Sequence, residues 1–196
     1  MVSRKSTMND EAVIKKQYIL KYNPTSTLDG AKSSAISAAV QHNIVYARNV
    51  PQNSRGKIRN YWGTHLEEIG AKFEKTVKLH EYENIICNFQ EKMNKKFPDE
   101  FNNGSKHGSM FRTSHAQKSI AVYIKILWCM GRIEEPMICP VDRIILNKTN
   151  ARHSNDIAWG YVNTIQEHGR KFGYIQEAAK AADMSVAKWE LYIFAN

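Results

Sequence analysis

Long apolar runs are missing from this 196-residue chain. No stretch approaches the roughly 20 consecutive apolar residues that cross a bilayer. The opening MVSRKSTMNDEAVIKK carries charge but no apolar segment of the secretory kind, so a cytoplasmic protein is expected. Cysteine is scarce. Cys87, Cys129 and Cys139 are odd in number and lack CxxC spacing, which argues against a disulfide framework and a cysteine-based zinc site. The histidines show neither HxxxH nor HxH spacing, so no metal is assigned. Carboxylates clustered on strands are lacking too, which disfavours a metal-dependent nuclease. Convincing alternation of apolar and polar residues is absent, as are internal repeats and low-complexity tracts.

What remains has the composition of a folded protein, with 42% hydrophobic and 24% charged residues. The length suits one domain, spanning 1–196 and with room for two small helical lobes around a cleft. Basic residues number 28 against 19 acidic, a formal charge of +9. An excess of this size favours a polyanionic partner, because neutralising phosphates releases condensed counterions. The basic residues are dispersed among aromatics rather than gathered in a tail, which fits a folded binding face.

Helical periodicity runs through nearly the whole chain and predicts an all-α fold of about seven to nine helices. Asn9 or Asp10 opens a first helix that stops at Tyr22, before Asn23-Pro24. Ser26 or Thr27 opens a second, reading through SSAISAAVQHNIVYARN to Pro51, with Ala31, Ser34, Ala35, Ala38 and Ala39 suited to close helix approach. A third is expected over 57–75 and a fourth over 81–97, ended by Pro98. The stretch PDEFNNGSKHGSMFRTS reads as loop. Two or three helices follow Ser154, the last capped by Asp183 or Ser185.

Chemistry concentrates in SHAQKSIAVYIKILWCMGRIEEPMICPVDRIIL, from Ser114 to Leu146. With Ser114 as cap, Lys118 lies in the first turns of a helix over 114–131 that is apolar almost all round. An amine there meets the positive end of the helix dipole and partial desolvation, the setting in which lysine becomes a nucleophile. Asp142, after Pro140-Val141, caps the next apolar run. A carboxylate fixed at a helix start can stabilise positive charge developing on a deoxyribose ring.

A lysine at a helix start, a core helix, a short connection and then Pro-Val-Asp entering another helix resemble the helix-hairpin-helix DNA glycosylases. The likeness is greatest to the compact archaeal 8-oxoguanine glycosylase branch. It implies an all-α fold, no cofactor, and excision of a modified base from double-stranded DNA. It also implies that Lys118 attacks the sugar C1′ and that Asp142 is the essential aspartate. The family's glycines before the lysine are absent here, where the chain reads Thr113-Ser114-His115-Ala116-Gln117. A phosphate-gripping turn is thus missing or rebuilt with Gly104 and Gly108.

A flipped base needs an aromatic or apolar pocket. Trp62 and Trp159, each followed by glycine, are the candidate pocket residues. Ser114, Arg112, His115 and Lys125, with Lys106 and His107, are candidate DNA contacts, aided by backbone N–H groups at the helix start. The expectation is a monomeric glycosylase, with or without lyase activity, acting on an oxidised purine or a hypermodified base of viral DNA, in repair or antiviral defence. Two rivals share the composition. One is a non-catalytic helical DNA-binding protein in which Lys118 touches phosphate and Asp142 only caps. The other is a helical protein-interaction module.

Overall fold

A computed structural model describes residues 4–41, 45–104 and 108–195. Among them the chain is all-α, apart from a minimal antiparallel pair, Asn103–Gly104 with Gly108–Ser109. The helices are α1 (Arg4–Tyr22), α2 (Leu28–Val40), α3 (Gln52–Lys72), α4 (Leu79–Lys96), α5 (Thr113–Cys129), α6 (Arg143–Leu146), α7 (Ile165–Ala181) and α8 (Val186–Ala195). A 3-10 turn at Asn150–Arg152 follows α6. Lys106 and His107, read as phosphate contacts, lie outside the described residues.

The sequence explains α5 as the axis. Every residue from Thr113 to Trp128 is buried, and α1, α2, α3, α4 and α7 pack around it. Close approach is possible because neighbours offer small residues. Ala31, Ala35 and Ala39 form a fully buried stripe of α2, one turn apart. Gly70 of α3 leaves no room for a side chain, since a Cβ there would sit 2.8 Å from Cε1 of Tyr123. The expected small-residue contact is therefore real, but Ser34 and Ala38 turn away from it and line a cavity instead.

The second helix is shorter than its periodicity suggests. Gln41 already has extended backbone. Val45 and Ala47 bond outside any helix, Ala47 N–H to the Glu100 carbonyl and Asn102 N–H to the Val45 carbonyl, both at 2.9 Å. Val45-Tyr46 is a β-branched and aromatic pair, which favours extended backbone over helix once a partner segment is near. At the other end of the chain the last cap is Ser185, whose hydroxyl accepts from Lys188 N–H at 3.3 Å. Asp183 instead takes a left-handed turn, with φ of +53°.

Two hydrophobic clusters result. The larger surrounds α5. The smaller gathers Val141, just before α6, with Ile145, Phe172, Ile175 and Trp189 from α6, α7 and α8. A cavity of about 900 Å³ is lined by residues from both groups of helices.

Candidate active site

Helix α5 starts two residues earlier than a Ser114 cap would place it, with Arg112 as the capping position. His115 reaches back, its Nδ1 accepting the Arg112 N–H at 3.2 Å. Ser114 lies inside the first turn and serves another segment. Its N–H donates to the Val162 carbonyl and its hydroxyl to the Gly160 carbonyl, both at 2.9 Å. These bonds tie the loop 157–162 across the start of α5. A second anchor holds the loop from α7: Arg170 makes two bonds to the Asp156 carboxylate at 2.9 and 3.2 Å, and buried Lys171 also pairs with it. Trp159 is thereby held over Lys118, with the ammonium 5.9 Å from the ring centroid.

Lys118 and Asp142 meet. The lysine Nζ donates to Oδ2 of Asp142 at 2.5 Å, and both side chains are only 9% exposed. Asp142 does cap α6, its Oδ1 accepting the Ile145 N–H at 3.0 Å. One oxygen therefore fixes the helix and the other faces the amine. Gln117 completes the arrangement. Its side-chain amide donates to the Val141 carbonyl at 2.9 Å and accepts the Val141 N–H at 3.2 Å, clamping the residue before Asp142. Nothing in the sequence marks Gln117 except its place beside Lys118.

Lys125, read as a DNA contact, is instead buried in a second ion pair, 2.6 Å from Oε2 of Glu190 on α8. Its ammonium also lies 4.3 Å from the Tyr18 ring centroid and 4.6 Å from that of Phe194. Burial raises the Glu190 carboxyl above its ordinary range, against the pull of Lys125. Sequence reasoning missed Glu190. Its signal was a single acidic residue within the apolar run Trp189-Glu190-Leu191-Tyr192-Ile193-Phe194.

Both pairs open on the same cavity, together with Trp159, while Ile144 and Tyr161, 56% and 62% exposed, stand on its rim. Trp62 is elsewhere. It is fully buried, donates its indole N–H to the Ser119 hydroxyl at 2.9 Å and meets Phe111 edge-on at 4.7 Å. Gly63 beside it faces Lys32 and Ile36 rather than open space, so the Trp-Gly pair marks helix packing there. Arg112, Ser114 and His115 likewise offer no exposed surface to phosphate. Arg112 lies under the exposed ring of Tyr161, 5.3 Å from its centroid. The loop folded over the start of α5 is the physical reason for these three corrections. Among the described residues no three His, Cys, Asp or Glu side chains converge as a metal site.

Burial of the two imidazoles has a measurable consequence. His115 is held down to about 3 by burial and by the neighbouring Arg112 charge, and His168 to about 4 by burial alone. In the unfolded chain both take up a proton near pH 6.5. The unfolded state then binds more protons than the folded one, so stability falls as pH drops below about 6.5 toward 4. The loss is about 1.4 kcal/mol per histidine per pH unit once well inside that window. Glu190, raised in the fold, works in the opposite sense. Urea unfolding at pH 7, 6, 5 and 4 should show this decline. His168→Gln should flatten it.

No known protein family, curated protein or solved structure matches the chain.

Proposed function

We propose that the protein is a DNA glycosylase of helix-hairpin-helix type that flips a modified base from duplex DNA and cuts its N-glycosidic bond. The observation that carries this reading is the Lys118–Asp142 contact inside a cavity, under an aromatic ring. Proton transfer along that contact leaves a neutral amine on Lys118. The amine bonds to C1′ as the C1′–N bond breaks, and the base leaves with the electron pair and takes the proton that Asp142 had received, which restores the carboxylate. The new C–N link gives a proton to that carboxylate, which passes it to O4′ as the sugar ring opens, and the resulting protonated Schiff base loses a C2′ proton as the 3′ phosphate leaves. The Asp142 carboxylate, which regains its charge as the base leaves, stabilises the positive charge on the ring. The base itself stacks on Trp159.

Phosphate contacts come from the exposed cations on and near α6, Arg143, Lys148 and Arg152, and from Lys21 on the opposite wall. Tyr161 and Ile144 on the rim are suited to enter the gap that the flipped base leaves. The expected binding is strongly salt-dependent. The slope of log K against log salt is about −0.9 per phosphate, hence roughly −3 to −4 if each of those four cations neutralises one. Fluorescence anisotropy with a labelled duplex between low and moderate salt reads this slope. Binding that is absent at low salt, or flat with salt, removes every nucleic-acid reading and leaves the protein-interaction module.

A second reading stays in play because Lys118 and Asp142 satisfy one another. A buried ion pair of good geometry also serves a DNA-binding protein that does no chemistry. Base release separates the two. Incubation with duplexes carrying oxidised, deaminated or hypermodified bases, followed by alkaline strand cleavage, should give a nick at one of them. Tight binding with no nick on any duplex favours the non-catalytic protein.

A further inference from the structure

Lysine chemistry at a sugar needs one ion pair, and this cavity holds two. Lys118, Val122 and Lys125 form one stripe of α5 facing the cavity, and Lys125 lies about 10 Å along the helix axis from Lys118. A buried pair is not needed for stability, since well-packed apolar residues of similar volume commonly do as well. Glu190 lies in the cavity wall with its Oε2 2.6 Å from Lys125 Nζ, although the residue is only 1% exposed. Around this pair three aromatic rings cluster: Tyr18 and Tyr22 lie 4.8 Å apart, and Phe194 lies 5.5 Å from Tyr22. The adjoining wall adds Ser37 of α2 and Gln41 just past its end.

The size of the cavity points the same way. At about 900 Å³ it falls near the top of the range of roughly 300–1,000 Å³ that holds drug-sized ligands. A bare nucleobase is no larger than an indole ring and leaves most of that space empty. A carboxylate that accepts from hydroxyl pairs, an ammonium that donates to hydroxyl oxygens and aromatic faces that cover C–H surfaces together suit a carbohydrate ring.

Resting on the glycosylase reading, we infer that the Lys125–Glu190 pair and its aromatic cluster form a subsite for a hydroxyl-rich substituent, so that the substrate is a sugar-bearing base. The base lies at Trp159 with its sugar link beside Lys118. The substituent reaches along α5 to Glu190, which accepts its hydroxyls, and to Lys125, which donates to their oxygens. An unmodified or merely oxidised base leaves that pair without a ligand.

The test uses five duplexes, carrying cytosine, 5-hydroxymethylcytosine, its glucosylated form, 8-oxoguanine, or a ready-made abasic site. Release from the glucosylated duplex is expected to exceed release from the others by about 10²-fold or more, because a site built for hydrogen bonding rejects analogues that lack the groups. The paired substitution Lys125→Met with Glu190→Leu, which leaves no lone buried charge, should lower that release by a similar factor. Glu190→Gln, which keeps the shape and removes the charge, should act in the same direction. Thermal melting checks that each variant is folded. Comparable release of 8-oxoguanine or 5-hydroxymethylcytosine overturns the inference, as does undiminished release by the folded variants. The abasic duplex separates the two levels of the argument. A borohydride-trapped adduct there, without release of the glucosylated base, defeats the subsite and leaves the glycosylase-lyase reading standing. No adduct and no release defeats both.

Discussion

Asp142→Asn should lower base excision by about 10²–10³-fold, the scale seen when one preorganised electrostatic group is removed from a reacting centre. The substitution separates two roles that one side chain holds at once. Asparagine caps helices as well as aspartate does, so the Ile145 N–H keeps its acceptor. What goes is the charge facing Lys118. Breaking a fully buried pair by removing one partner costs about 3–5 kcal/mol, but this ammonium faces a cavity that water can enter, so about 1–3 kcal/mol is the better expectation. That amounts to a thermal shift of about 2–4 °C per kcal/mol for a chain of this length. Single-turnover excision on saturating duplex, beside a melting curve, reads both effects. Excision at the unaltered rate would reduce Asp142 to a helix cap and remove the case for glycosylase chemistry.

Lys125→Ala is expected to be far more damaging to the fold. Its partner Glu190 is 1% exposed and would be left as a buried carboxyl with no cation beside it. The expected loss is about 3–5 kcal/mol, a large part of the roughly 5–15 kcal/mol by which a domain is stable. Replacing both partners, Lys125→Met with Glu190→Leu, should instead stay within about 1 kcal/mol of the parent or gain stability. Denaturant midpoints of the three proteins give the comparison. If Lys125→Ala melts like the parent, the pair is not closed in solution, and the lysine returns to the exposed stripe that its spacing from Lys118 suggests.

That reversal for Lys125 shows where reading the sequence stops. Periodicity located α4 and α5 to within two residues and the ends of α1 and α3 to within three, but placed the starts of α1 and α3 at least five residues late. It overran α2, where the backbone of Val45 and Ala47 found partners at 100–102, far along the chain. At the site, the order of Lys118 and Asp142 was legible because both sit at helix starts, and helix starts have local signals. Which polar residues of α5 face outward was not. Ser114, Lys118 and Lys125 share a face that reads as a solvent stripe by spacing alone, and only the loop 157–162 and α8, more than 30 residues away from Ser114 and Lys125, bury those two. Gln117 was silent for the same reason, and Glu190 showed only as a lone acid in an apolar run. Trp159 and Trp62 have the same Trp-Gly pattern, yet one faces the cavity and the other the core.

The central claim is that Lys118 is a nucleophile toward DNA, and one measurement addresses it directly. A duplex with a single abasic site is incubated with the protein, reduced with borohydride, digested with protease and mapped by mass spectrometry. The account predicts one cross-linked peptide, with the DNA on Lys118, and its loss in Lys118→Gln while DNA binding weakens only modestly. A duplex that is bound tightly yet yields no adduct, or an adduct carried by another amine and undiminished in Lys118→Gln, would contradict it.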